Sequence, residues 1–227
     1  MVLYQPKDGY CYNSDTMFLY DFISKFNIKG EVLEVGGGCG VLGLLVKRDF
    51  PKINLTIIEK QSVMYEFIKK NLKENLIKAD VINNDFLITD FNKRFDFIIS
   101  NPPFYKGTLK SENEIKKIAR YEEFLPMDKF FKKVNSILKE RGEFIFCYDA
   151  KRIDDIILNL PKPLKVVDLR FMHPKIDKAA TLVMIRAKRH AKSMVKIHPP
   201  LIGFEGEEYS KEAKKIYKKA NTKSIKE

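Results

Sequence analysis

Ser100-Asn101-Pro102-Pro103-Phe104 puts an amide, two prolines and an aromatic ring at the end of the apolar run Phe95-Asp96-Phe97-Ile98-Ile99. The run reads as a buried strand, so Asn101 sits where the chain leaves a sheet. Pro102 and Pro103 remove two backbone donors, fix φ, and bias Asn101 toward an extended conformation. The Asn101 side-chain oxygen and the Pro102 carbonyl then form a rigid pair of acceptors, with Phe104 as a flat apolar face beside them. Such a set suits a planar group that carries an NH2 and can be stacked on, namely a base or an amide. Asn and Pro are also ordinary turn residues, and the same five residues are compatible with a turn that merely ends a strand.

A second cluster lies some sixty residues earlier. Val32-Leu33-Glu34-Val35-Gly36-Gly37-Gly38-Cys39-Gly40 reads as a strand running into glycines and then a helix. Glycine lets a ligand lie close against the main chain there. A dinucleotide fingerprint would need Gly-x-Gly-x-x-Gly to offer helix amides to a pyrophosphate. Here the spacing is Gly36, Gly38, Gly40, with Glu34 two residues before the first glycine. A carboxylate at that place repels a pyrophosphate and attracts an ammonium, which fits S-adenosylmethionine. Glu59 ends the next strand, where a carboxylate accepts from adjacent ribose hydroxyls. Asp85, just past the third strand, is placed to accept from an adenine amino group, and Phe86 to pack on the base. Carboxylates at strand ends also cap helices. The ordered set Glu34, Gly36, Gly38, Gly40, Glu59, Asp85, Phe86 and Asn101 nevertheless falls on one rim and reads as a cofactor site.

The elements that must hold these residues alternate. Strands are expected at Glu31 to Val35, Asn54 to Glu59, Asp80 to Asn83 and Phe95 to Ser100, and helices at Val41 to Asp49 and Val63 to Leu76. Alternation implies right-handed crossovers, a largely parallel sheet and helices on both faces. Sites in such sheets lie beyond the carboxyl ends of the strands. Upstream, Phe18, Leu19, Phe22, Ile23 and Phe26 recur at helical spacing, with Gly9-Tyr10 and Asn13-Ser14-Asp15 as a candidate lid. Downstream, residues 105–123 form an aperiodic basic loop carrying Lys106, Lys110 and Arg120. A helix at Met127 to Leu138, stopped by Gly142, precedes a strand at Glu143 to Tyr148 and a helix at Ala150 to Leu160. Two last strands, about Lys165 to Met172 and Ala180 to Ala187, are expected as an antiparallel hairpin at the sheet edge. A lysine-rich helix from Ser210 to Ala220 closes the chain.

The 227 residues fit one domain of ordinary size. Three cysteines, Cys11, Cys39 and Cys147, have no metal-ligand spacing and read as reduced, so no metal is expected. With no leader-like start and no long apolar run, a soluble cytoplasmic protein is expected, with no membrane partner. Net charge is +12, and from Arg186 onward the chain holds 12 basic and 5 acidic residues. The asymmetry favours a polyanion such as nucleic acid, although solvated lysine faces also occur without one.

The ordered motifs resemble the class I S-adenosylmethionine-dependent methyltransferases, and Asn-Pro-Pro-Phe resembles those that act on a conjugated amino nitrogen. The resemblance implies a Rossmann-like α/β fold: a seven-stranded, mostly parallel sheet whose last strand is antiparallel, with helices on both faces. A narrower resemblance covers almost the whole chain. Gln5 to Phe22, Ala119-Arg120-Tyr121-Glu122, Arg170-Phe171-Met172-His173-Pro174, Lys178-Ala179-Ala180 and Pro200-Leu201-Ile202 followed by Tyr209 look like blocks of the bacterial tRNA1(Val) adenine-37 N6-methyltransferase family. That family usually has histidine where Tyr121 stands, and commonly Asp and Cys where Glu34 and Gly37 stand. The resemblance implies a methyltransferase domain over residues 1–189, with a lid and helix in 1–30, and a basic appendage over 190–227 packed on it.

On this reading Asn101, Pro102, Pro103 and Phe104 are catalytic. Tyr10, Lys106, Lys110 and Arg120 contact a tRNA substrate. Other conjugated amines remain open as targets: a guanine N2 of ribosomal RNA, a DNA base, or a glutamine of a translation factor. So does a non-catalytic RNA-binding protein of the same fold. The oligomeric state is not legible.

Overall fold

A computed structural model describes residues 1–7, 11–104, 118 and 121–227. The chain opens with β1 (Val2–Gln5) and α1 (Ser14–Ile23). It continues through β2 (Glu31–Val35), α2 (Val41–Asp49), β3 (Asn54–Glu59), α3 (Ser62–Glu74), β4 (Asp80–Asn83) and β5 (Phe95–Ser100). After a 3-10 turn at Glu122–Phe124 come α4 (Met127–Ile137), β6 (Leu138–Asp149), α5 (Ile153–Asn159), β7 (Leu164–His173) and β8 (Leu182–Arg189). The tail holds β9 (Lys196–Ile197), β10 (Leu201–Ile202), β11 (Phe204–Glu205), β12 (Glu208–Tyr209), α6 (Lys211–Ala220) and β13 (Lys223–Lys226).

Seven strands lie in the order β7-β8-β6-β5-β2-β3-β4. β2 pairs parallel with β3 and β5, β3 with β4, and β5 with β6. β8 runs antiparallel to both β6 and β7. The class I methyltransferase fold is therefore present. The last two strands form an antiparallel pair toward the sheet edge as expected, with β8 placed between β6 and β7. β9 and β10 then pair with the outer side of β7, extending the sheet to nine strands. Two-residue strands there cover an edge that would otherwise offer unpaired backbone groups.

A sheet buried on both faces needs apolar residues at successive positions, and a period of two sorts them to opposite sides. Val32, Ile57, Phe97, Ile99 and Ile145 pack with α1, α2, α3 and α6. Leu33, Ile58, Ile98, Phe144 and Phe146 pack on the other face with Phe130, Phe131 and Val134 of α4 and Ile156 of α5. Gly142 does not stop a helix. α4 ends at Ile137, β6 begins at Leu138, and the register with β5 shifts so that Phe95 faces Leu138 and Phe97 faces Glu143. Gly142 lies inside that irregularity, where an added Cβ would lie 2.9 Å from Leu138 Cδ2.

The chain ends are tied together. β1 pairs parallel with β13, and Asn71 of α3 and Asn75 at its carboxyl cap hold β1 by accepting from Tyr4 N (2.7 Å) and Val2 N (3.0 Å). Arg170, 5 % exposed, donates to both carboxylate oxygens of Glu212 on α6 (2.7 and 2.9 Å) and to the Pro199 carbonyl (3.0 Å). The tail thus shares the core through Leu201, Ala213, Ile216 and Ala220. Among the described residues no helix is long and apolar enough to cross a membrane.

Candidate active site

The carboxyl ends of β2, β3 and β5 meet at one rim, as expected for a parallel sheet. Ser100 Oγ donates to the Val35 carbonyl (2.8 Å), locking β5 to β2 at the point where both chains leave the sheet. The glycine turn begins there. Gly36 and Gly38 have φ of +70° and +54°, and a Cβ on either would meet nothing within 4 Å. These are backbone positions that suit glycine, and they border open space that a ligand can fill.

Gly37 differs. A Cβ there would collide with Ile57 Cγ2 and lie 3.2 Å from Ile68 Cδ1. Close packing of the turn onto β3 and α3 leaves no room for a side chain there. Gly40 caps α2 and donates to the Gly37 carbonyl (2.7 Å). It borders neither cleft described below, so it shapes the turn and is not itself a contact surface.

Two clefts flank the turn and share Gly36, Gly38 and Asn101. The larger, about 650 Å³, is walled by Glu59, Asp85, Phe86, Met64, Pro103 and Leu125 among others. The smaller, about 340 Å³, is walled by Glu34, Tyr12, Thr16 and Leu42. Glu34 is 2 % exposed and accepts from Gly43 N (3.0 Å). Burial pushes its carboxyl up to about 8, against the lowering effect of that bond, with a further upward push from Glu59.

Glu59 accepts from Gln61 N and Gly38 N (both 2.8 Å), one at each oxygen. Burial raises its pKa as well. A carboxylate has about four lone-pair sites, and with a further backbone contact from Lys60 one remains for a ligand hydroxyl. Asp85 pairs with Lys60 (2.9 Å) and accepts from Leu87 N (2.8 Å), so it caps its own turn while bordering the cleft. Phe86 is 4 % exposed and packs against Phe91 and Phe130 at 6.0 and 5.7 Å between centroids. Its ring is anchored in the core by these contacts while also bordering the larger cleft.

Asn101 occupies the junction of the two clefts. Its Nδ2 donates to Thr16 Oγ1 on α1 (3.1 Å), and its Oδ1 lies 3.1 Å from Cys147 Sγ on β6. Burial raises the Cys147 thiol well above its ordinary value, so it stays protonated and acts as the donor. Pro103 borders the larger cleft, and Phe104 packs against Tyr148 at 5.5 Å. Arg152 binds Glu122 and Asp155, which ties the Glu122–Phe124 turn over the larger cleft to the end of β6. Phe124 and Leu125 supply apolar wall there.

The residues expected at the cofactor site thus converge on the two clefts, with Gly40 as the exception. Tyr10, Lys106, Lys110 and Arg120 lie outside the described residues. Thr16 and Cys147 were missed as partners of Asn101. Thr16 carried a weak signal, at the start of an amphipathic helix, while Cys147 is one apolar strand position among many.

The donor set fits S-adenosylmethionine. The cradle offers carboxylates and carbonyls to an ammonium and to hydroxyls, and glycine backbone where a close approach is needed. Among the described residues there is no cluster of His, Cys, Asp or Glu able to hold a metal.

Residues 13–159 match the family model described as the methyltransferase small domain. Two kinds of curated relative are similar. The chain is 27 % identical over 139 residues to the tRNA1(Val) (adenine(37)-N6)-methyltransferase of Porphyromonas gingivalis, covering 58 % of this chain and 54 % of that protein. It is 39 % identical over 80 residues to the ribosomal RNA small subunit methyltransferase C of Haemophilus influenzae, covering 35 % of this chain and 24 % of that one. The chain spans about half the length of the first of these relatives, and less of the second.

Solved structures share the fold. A predicted O-methyltransferase of Agrobacterium tumefaciens superposes with TM-score 0.70 at 15 % identity, over 93 % of this chain and 99 % of that one. The Thermus thermophilus 16S rRNA N2 G1207 methyltransferase, solved with AdoMet and guanosine, gives 0.57 at 19 % identity, over 81 % and 45 %.

Proposed function

The chain belongs to the methyltransferase small-domain family, and from that premise we propose that it is an S-adenosylmethionine-dependent enzyme that methylates the N6 amine of an adenine in RNA, at position 37 in the anticodon loop of a valine tRNA. The observation that carries the chemistry is the placement of Asn101. One amide borders both clefts and is oriented by Thr16 and Cys147, so that its nitrogen is occupied by Thr16 and its oxygen keeps one lone pair for a substrate N-H.

When bound, the cofactor supplies an electrophilic sulfonium methyl. Glu34, Glu59 and the backbone at Gly36 and Gly38 hold it, with Asp85 at the far wall. Asn101 Oδ1 and the Pro102 carbonyl accept the two N-H bonds of the amine. An adenine N6 lone pair is delocalised into the ring, so the amine is a weak nucleophile. Acceptors fixed on its N-H bonds stabilise the positive charge that develops on nitrogen and remove no proton in advance. Phe104, braced by Tyr148, stacks on the base and sets its approach. A base reaches such a site only after leaving its stack, which is least costly from a single-stranded loop.

The adenine reading is supported by the Porphyromonas relative and by the blocks shared along the chain. Guanine N2 of ribosomal RNA is the second reading, supported by the higher identity over the shorter Haemophilus match. Purified protein, labelled cofactor, and total tRNA and ribosomal RNA from a strain lacking the gene separate them. N6-methyladenosine in tRNA is expected on nucleoside digestion. N2-methylguanosine in ribosomal RNA would replace the first reading with the second.

A further inference from the structure

At the opposite end of the sheet, where β6 begins and β8 ends, a groove of about 1170 Å³ is walled by Arg141, Lys188, Arg189, His190 and Lys192. Its one acidic wall residue, Glu140, is engaged by His190 Nε2 (2.8 Å). Lys188 is neutralised by Glu143 (2.9 Å). Arg141, Arg189 and Lys192 have no carboxylate partner among the described residues. Arg189 gives one N-H to the Leu138 carbonyl (2.9 Å), and its Nε is buried with no acceptor. The groove therefore carries three cations without a carboxylate partner among the described residues, a local positive charge that attracts a polyanion.

The backbone is shaped at this place too. β7 changes register against β8 between Val166 and Asp168, and His190 turns the chain out of β8 with φ of +54°. Lys165 stands directly across from Lys188 in that pairing, a like-charge juxtaposition that works against the sheet. The register shift and the turn at His190 lie beside the groove in which Arg141, Arg189 and Lys192 gather without a carboxylate partner among the described residues.

We propose that this groove binds the sugar-phosphate backbone of the RNA substrate, away from the target base. The proposal rests on the reading of the enzyme as an RNA methyltransferase. Lys188 pairs with Glu143 and Glu143 with Phe97, so all three lie in one row across the sheet. Asn101 is four residues beyond Phe97, which is about 13 Å along the strand, and two strands of lateral offset add about 10 Å. One folded RNA spans that separation, with its loop at the cleft and a stem phosphate in the groove. The groove then contributes affinity and orientation, and none of the chemistry.

Arg141 and Lys192 are exposed and have no ion-pair partner among the described residues, so they can be changed with little risk to the fold. The test uses Arg141→Glu/Lys192→Glu, and Arg141→Gln/Lys192→Gln as a milder pair, with an unmodified valine tRNA transcript as probe between 50 and 200 mM salt. Each lost phosphate contact should lower the slope of log affinity against log salt by roughly 0.7 to 0.9. The expected result for either pair is binding about tenfold weaker at 100 mM, a slope smaller by about 1.4 to 1.8, and unchanged S-adenosylmethionine affinity. Wild-type dissociation constant and slope in both pairs would overturn the groove and leave the RNA reading standing. A wild-type protein that binds no tRNA would overturn both.

Discussion

The Cys147 thiol on β6 faces the side-chain oxygen of Asn101, just past the end of the neighbouring strand β5, across 3.1 Å. With Thr16 taking the amide nitrogen from the other side, the orientation of the amide is fixed before any substrate arrives. An amide free to flip would present NH2 to the incoming amine about as often as oxygen, and two donors facing each other repel.

Thr16 is therefore a positioning residue. Thr16→Val keeps its volume and removes the acceptor, and a lost hydrogen bond of about 1 kcal/mol corresponds to roughly a five- to tenfold fall in rate. The loss should appear in kcat with KM for RNA unchanged, and Thr16→Ser should restore most of it. A wild-type rate in the Val variant with a loss in the Ser variant would mean that the methyl group matters and the hydroxyl does not. Cys147→Ala should give a smaller effect in the same direction, because the thiol is the weaker partner.

Glu34 gives a pH signature. Its folded carboxyl is held at about 8 by burial, against an unfolded value near 4.5. The folded state therefore keeps a proton that the unfolded state loses between those values, and stability falls as pH rises across that window. Below pH 4.5 the contribution is fully present. Glu34→Gln cannot ionise, so its melting temperature should be close to wild type at pH 5 and above it at pH 8 in the absence of cofactor. A constant difference at both pH values would show that Glu34 is ionised throughout. The same variant should bind S-adenosylmethionine more weakly at pH 8, where the wild-type carboxylate faces the ammonium.

Gly37 predicts a steric cost. Gly37→Ala puts a methyl into Ile57, and overpacking of this kind costs about 1 to 3 kcal/mol. Chemical denaturation should show a lower midpoint with an unchanged slope. Gly37→Ala with Ile57→Leu, which removes the β-branch methyl Cγ2 that the new methyl would meet, should recover part of the loss, and no recovery would point to the backbone instead of the Ile57 side chain.

The lysines of α6 form a second basic surface. Lys215 and Lys218 are exposed. Removing the whole tail would strip Leu201, Ala213 and Ile216 from the core and the Glu212 partner from Arg170, so point changes are the cleaner probe. Lys215→Glu/Lys218→Glu should weaken tRNA binding several-fold and reduce its salt dependence while leaving the melting temperature within about a degree. Unchanged binding would make this face a solvated one.

The order of strands and helices from Glu31 to Ser100 was legible because a buried parallel sheet leaves apolar runs of strand length, and β2, α2, β3, β4 and β5 fall where those runs predict. β1 and β13 were not legible. Each is four residues long, and what holds them is the pairing of the two chain ends and the side chains of Asn71 and Asn75, all distant in sequence. Local periodicity also misjudged the start of β6. Lys139 to Gly142 looks like a polar helix end, but the strand begins before it and loops through it. At the site, the carboxylates announced themselves by position, whereas the Phe86 ring is anchored by Phe91 and Phe130, neighbours that spacing alone does not reveal.

The central claim is that the Asn101 oxygen lowers the barrier to transfer and does little to hold the cofactor. Single-turnover methylation of a valine tRNA transcript by Asn101→Ala, with the S-adenosylmethionine dissociation constant measured on the same preparation, tests it most directly. The account predicts a rate lower by on the order of a hundredfold, as for removal of one preorganised transition-state partner, with a dissociation constant within about threefold of wild type. A wild-type rate in this variant, or a loss explained wholly by lost cofactor binding, would contradict it.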